Sequence, residues 1–284
     1  MLTIGTQFFP ADGDVERRQR RARQALLALE SVRIVNLQFA DESFAPDGFV
    51  TMPVLRRDSL TVTGGGRRRK PIVSEMFDAL AAAADGCRYF AFINADIEVT
   101  PAAIERILSG GRDGYAFCRA DLHPVTREPE GVQLFGLDMF AIDVAWWARE
   151  RRRFRPYIAG EACWDNVYAS LICSHGNGEI VHDDPGILHE RHPGGRHGGL
   201  FAAYNGYLAA LDAPYFSRWA TYVLRLQERR AAGAHVDPAQ LVQEVFGGPP
   251  LSLSGRIRHV GRALKARVRF ARDRARLARE EPSA

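Results

Sequence analysis

The chain has 284 residues, of which 46% are hydrophobic and 25% charged. That balance allows a sizeable core and excludes a disordered or fibrous protein. Residues 251–284 carry ten Lys/Arg against three acids, while residues 1–250 hold 28 bases and 31 acids, so the net charge of +4 arises in a basic tail and is no argument for nucleic-acid binding by the body.

Hydrophobic patterning predicts strands over 2–9, 32–39, 49–55 and 89–93, alternating with helices over 15–29 (Asp14 as N-cap), 72–84 and 101–108 (Thr100 as N-cap, Pro101 at the first position). Further strands are predicted over 114–119, 133–142 (broken by Gly136 and Asp138) and 180–182, and further helices over 144–153, 160–172 and 201–231. The segment after 182 (HDDPGILHERHPGGRHGG) reads as irregular and holds four of the eight histidines. Strand–helix alternation of this kind implies an α/β protein with an open, mostly parallel sheet, whose ligand crevice lies outside the carboxyl ends of the strands. The four cysteines lack CxxC spacing, no apolar run is long enough to span a bilayer, and the first residues lack a signal-peptide pattern. The expectation is a reduced, cytoplasmic protein.

Residues 92–101 read FINADIEVTP, an apolar strand running straight into Asn94, Asp96 and Glu98. Residues two apart in an extended segment face the same side. Two oxygen side chains there can converge on a hard divalent cation that also holds a phosphate. The alternative is that Asp96 caps the next helix or pairs with an arginine.

The stretch VSEMFDALAAAADGCRYFAFINADIEVTPAAIERIL, followed by FGLDMFAIDVAWW and RPYIAGEACWDNVYASLI, resembles GT-A-type glycosyltransferases, in particular the large inverting family that includes cellulose and chitin synthases. In that family a strand ends in a DxD-like motif, here with Asn94 at its first position, and an acidic helix start follows a Gly-x-Asp-x-Phe strand. The resemblance spans roughly residues 2–195. It implies a GT-A-like, Rossmann-type domain over 1–250, with a basic amphipathic helical tail over 251–284. The implied activity is transfer of a sugar from a nucleotide-diphosphate donor to a glycan or lipid-linked acceptor hydroxyl, with Mn²⁺ or Mg²⁺.

Carried over by position, Thr6, Gln7 and Asp41 lie under the base and ribose, with Asn94 beside them, and Asp96 holds the metal at the diphosphate. Asp165 is the base, with Glu161 as the second carboxylate. The two are four apart and share a face if the helix has begun; they can equally complement a helix dipole. Asp138 and Trp164 fall in the acceptor and sugar region, Trp164 being a core candidate too.

His189 and His192 are three apart, with Pro193 and two glycines following, so the segment is not the HExxH helix of a zinc protease. In GT-A enzymes a histidine after the last core strand can complete the metal site, which makes either one a candidate third ligand. Arg191 or Arg196 could then meet the diphosphate. GGGRRRKP is no P-loop, since Pro71 follows Lys70; Lys70 is a phosphate candidate only by its neighbourhood.

In the tail, Leu253, Ile257, Val260, Leu264, Val268 and Ala271 recur at helical spacing among arginines. Such a helix suits an anionic membrane, which would make the protein peripheral on the inner face, or an acidic partner, or it packs back on the body through this stripe. Nucleic acid is not expected, because Phe270 is the lone aromatic. Two other functions compete with the transferase: a non-catalytic GT-A-like sugar- or nucleotide-binding protein, and a sugar nucleotidyltransferase. The latter would place a basic Gly-rich loop after the first strand, where Thr6-Gln7-Phe8-Phe9 stands.

Overall fold

The computed structural model describes residues 1–66, 68–193, 199–249 and 253–280, with the backbone alone for 253–258 and 278–280. The chain divides into two compact units, Met1–Arg56 with Met76–Arg151 and Gly176–Gly194, and Arg57–Glu75 with Arg152–His175 and Gly195–Ala284.

The first unit contains the whole sheet. Its strands are β1 (Leu2–Thr6), β2 (Val32–Phe39), β3 (Val50–Leu55), β4 (Tyr89–Ile93), β5 (Ile97–Val99), β6 (Gly114–Leu122), β7 (Pro129–Asp143), β8 (Gly178–Val181) and β9 (Ile187–Glu190). They run in the order β3-β2-β1-β4-β7-β6-β9-β5, with β8 beside the first half of β6. Strands β1 to β4 are parallel and β7 is antiparallel between β4 and β6. This is an α/β fold with a mixed, mostly parallel sheet.

Strand β4 is YFAFI and buried throughout. A strand covered on both faces needs apolar side chains at every position. Tyr89, Ala91 and Ile93 join a core with Leu2 and Ile4 of β1, Ala22 and Leu26 of α1 (Gly13–Leu27), and Ile104 and Ile107 of α4 (Pro101–Gly110). On the other face Phe90 and Phe92 meet Phe77, which also touches Phe140 and Trp147. Phe77 lies in α3 (Val73–Ala83) and Trp147 in α5 (Val144–Glu150). Gly5 is required where α3 crosses β1: a Cβ there would sit 2.0 Å from a Leu80 methyl.

Several expected boundaries move for physical reasons. The N-cap of α1 is Asp12, and Asp14 lies inside the first turn, where it pairs with Arg17. Thr100 occupies the N-cap of α4, but its hydroxyl donates to the Gly186 carbonyl. Strand β7 is continuous through Gly136 and Asp138, absorbing them as register shifts against β6. Part of the segment expected to be irregular is β9, which pairs antiparallel with β5 and parallel with β6.

The second unit contains α2 (Ser59–Thr63), α6 (Trp164–His175), α7 (Gly199–Leu211), α8 (Ala213–Ala231), α9 (Pro238–Phe246) and α10 (Leu253–Glu280). The expected helix start at Ile72 is displaced because Ile72 forms a β-bridge with Ile158. Asp212 is buried at the α7–α8 joint, accepting from Arg155 Nε at 2.9 Å and the Tyr157 hydroxyl at 3.0 Å. Among the described residues no helix is long and apolar enough to cross a membrane.

Candidate metal centre

Because β2, β1 and β4 are adjacent and parallel, their carboxyl ends open on one edge of the sheet. That edge holds Thr6, Gln7, Asp41, Asn94 and Asp96. Thr6 is buried at the end of β1, and its Oγ1 has no hydrogen-bond partner among the described residues; a buried hydroxyl in that state is suited to an incoming ligand atom. Gln7 is half-buried beside it, and Asp41 is exposed in the turn after β2. The β1 end is held by two buried amides. Asn36 Oδ1 accepts from Phe8 N at 3.0 Å, and Gln38 Nε2 donates to Phe8 O at 2.6 Å. Neither residue was singled out from the sequence, although polar side chains inside VRIVNLQF were a signal.

The residues after β4 do not form the extended segment expected. Asn94 to Asp96 turn, and the two side chains bond to different partners. Asn94 Nδ2 donates to Asp138 Oδ1, whose other oxygen accepts from Arg119 Nη1 at 2.9 Å. Asn94 and Asp138 thus engage each other inside the unit, with Asp138 only 7% exposed. Glu98 pairs with Arg127 at 2.6 Å.

Asp96 meets the histidines. Its Oδ2 lies 3.1 Å from His192 Nε2 and 3.7 Å from His189 Nε2. Burial pushes the Asp96 carboxyl up, but the two imidazoles outweigh it and hold it far below the usual carboxylate range. The same contact with Asp96 raises His192, against burial and the nearby Arg18 charge. The alternative sequence reading of Asp96, a helix cap or arginine partner, therefore gives way to a histidine pair.

The site is assembled by register. His189 stands opposite Ile97 on β5 and opposite Asp121 on β6, next to Asp96 on one side and within reach of the Asp121 side chain on the other. Asp121 Oδ1 accepts from His189 Nδ1 at 2.9 Å, and Arg119 Nε donates to the same carboxylate oxygen at 2.9 Å. This fixes the imidazole with Nε2 toward Asp96, the arrangement that orients metal-binding histidines. The three potential ligand atoms of Asp96, His189 and His192 lie within 4.8 Å of one another. Metal–ligand bonds of about 2.1 Å set neighbouring ligand atoms roughly 3.0–3.4 Å apart, so small side-chain adjustments suffice for a divalent ion, and one carboxylate with two imidazoles is a suitable donor set.

Beyond His189 the chain is braced by charge. Glu190, 2% exposed, accepts from Arg17 through both oxygens and from Arg21. Arg191, a diphosphate candidate in the sequence, pairs with Glu130. Arg196 lies outside the described residues.

The remaining candidates belong to the second unit. Lys70 Nζ bonds Glu161 Oε1 at 2.7 Å, so each is engaged by the other. Glu161 precedes α6, whose first turn holds Asp165; the shared helical face expected for the two does not form. Trp164 is buried to 4% exposure, edge-on to Tyr168, and so is a core side chain and no open sugar platform. Cys163, which leads into α6, has a left-handed φ of 82°. Burial first, and then the Asp165 charge, push its thiol up, away from thiolate reactivity.

No family model and no curated protein matches this chain. Solved structures similar to it include S. aureus TarS, at 9% identity and a TM-score of 0.44 over 77% of this chain. This chain spans 43% of that one. The mannosyltransferase PcManGT from Pyrobaculum calidifontis, in complex with GDP-Man and Mn²⁺, is 11% identical with a TM-score of 0.40, covering 95% of this chain and 86% of its own. A glycosyltransferase involved in glycosylation of the major capsid of PBCV-1 gives 12% and 0.32 over 66% and 92%. All three scores lie below 0.5, so the functional assignment rests on this chain's own residues.

Proposed function

We propose that this protein is a glycosyltransferase that moves a sugar from a nucleoside-diphosphate donor to a hydroxyl of a glycan or lipid-linked acceptor. The observation that carries the reading is the convergence of Asp96, His189 and His192 at the carboxyl-end edge of a GT-A-like sheet, with Asp121 orienting His189. When bound there, a divalent cation supplies electrostatic stabilisation of the departing diphosphate. Two imidazoles favour Mn²⁺ over Mg²⁺, which prefers oxygen ligands.

In this reading Thr6, Gln7 and Asp41 bind the nucleoside, Thr6 through its free buried hydroxyl. Asp165 takes the proton of the acceptor hydroxyl as that oxygen attacks the anomeric carbon, with inversion. Asp165 is preferred to Glu161 because its position is the one that matches the base of the family this sequence resembles.

The test is incubation of the full chain with a panel of nucleoside-diphosphate sugars and Mn²⁺. Slow donor hydrolysis that requires Mn²⁺ and disappears in Asp96→Ala supports the assignment. Donor binding without turnover, with or without an acceptor panel, would leave a sugar-nucleotide-binding protein in its place. Failure to bind any donor while Mn²⁺ still binds would remove the nucleotide-sugar reading.

A further inference from the structure

Helix α10 carries two stripes, and only one is covered. From residue 259 on, the side chains with reduced exposure are His259, Ala263, Ala266, Phe270, Asp273 and Leu277, at alternating spacings of four and three, the pattern of a helix seated along one seam. The seam faces α7. Phe270 stacks on Tyr207 with ring centres 5.1 Å apart and planes 8° apart, and meets Tyr204 edge-on at 5.6 Å.

The apolar stripe that stands out in the sequence is the other one. Val260, Leu264 and Val268 are 69%, 64% and 49% exposed. At 3.6 residues per turn they fall on the side of the helix away from Ala266, Phe270 and Asp273. Ala271 continues this edge and is exposed. Arg267 and Arg274 border it on one flank, Lys265, Arg272 and Arg276 on the other, and all five are exposed. Among the described residues no other helix exposes three large aliphatic side chains.

We propose that this edge of α10 docks on an anionic lipid bilayer. Val260, Leu264 and Val268 enter the headgroup–acyl boundary, and the two cationic flanks meet lipid phosphates. Charge complementarity selects the occupant: residues 253–280 hold ten Lys/Arg and two acids, and cations flanking bulky aliphatics are the composition of an interfacial helix. Nucleic acid fits less well, since Phe270, the helix's one aromatic, is committed to Tyr207 and leaves no ring for base stacking. The helix reaches the surface already seated through its opposite seam, so docking needs no unfolding of the second unit. This inference is independent of the proposed reaction.

The experiment is co-sedimentation of the full chain with vesicles of phosphatidylcholine alone and with equal parts phosphatidylglycerol. Pelleting is expected only with the anionic vesicles and should weaken steeply between about 0.1 M and 1 M salt as the charges are screened. Leu264→Asp with Val268→Asp should lower the partition coefficient about tenfold or more through lost apolar insertion. These positions are exposed, so circular dichroism and donor hydrolysis should be unchanged, which separates loss of docking from loss of the proposed reaction. Equal pelleting of the double variant and the parent would overturn the proposal, as would binding to a single-stranded oligonucleotide with none to anionic vesicles.

Discussion

His189 Nδ1 lies 2.9 Å from Asp121 Oδ1, and this bond aims the opposite ring nitrogen at Asp96. It exists because β9 is laid between β5 and β6, with His189 opposite both Ile97 and Asp121. Asp121→Asn should therefore weaken Mn²⁺ binding by about 10–100-fold without removing a ligand, through loss of the charge that orients and polarises the imidazole. Titration calorimetry with Mn²⁺ reads this directly. An unchanged affinity would mean that Asp121 does not govern the site.

Asn94→Asp restores a DxD motif in the sequence, yet it should harm the protein. Asn94 donates to Asp138, and a carboxylate in its place would face another carboxylate where a donor is needed. A destabilisation of about 1–3 kcal/mol is expected from the lost bond and the unmet acceptor, with no gain in Mn²⁺ affinity. Thermal denaturation and metal titration together decide it; tighter Mn²⁺ binding would contradict the geometry.

Asp165→Asn should reduce kcat for transfer by about 10²–10⁴-fold, the range for loss of a general base. Mn²⁺ and donor binding should be retained, because Asp165 is not among the converging ligands. Steady-state kinetics beside donor-binding measurements separate the two effects. A variant that loses donor binding and keeps kcat would assign Asp165 a different role.

Burial first, and then the neighbouring Tyr115, push the Tyr89 phenol up to about 12; its hydroxyl donates to the Arg112 carbonyl at 2.7 Å. For an acid whose folded pKa is raised, the unfolded chain loses its proton first. The resulting stability is present below pH 10 and declines from there to about pH 12. Urea unfolding across that range should show the decline, and Tyr89→Phe should make it shallower. Identical slopes for the two proteins would rule it out.

The sheet was largely legible because its central strands are locally unambiguous. VRIVNLQF and YFAFI are apolar enough to be strands in any α/β setting, and both occupy the residues expected. Strand β9 was missed because ILHE is four residues long and half polar. Its identity as a strand depends on partners far away in the chain, β5 and β6, and no local periodicity reports such pairing. Asp96, His189 and His192 were each visible as ligand types, and the resemblance offered either histidine as a third ligand beside Asp96; what was not visible was the strand whose pairing brings both histidines there.

The sequence by itself determined the α/β alternation, the placing of polar residues after the apolar strands, and the amphipathic character of the tail, because these follow from local spacing and composition. Tertiary structure decided that Asn94 turns to Asp138 while Asp96 turns to the histidines, that Trp164 is core, and which stripe of α10 is covered. Each of these is a choice between faces or partners of similar local quality. Such choices are settled by the packing of segments distant in sequence, where burial and charge pairing first take effect.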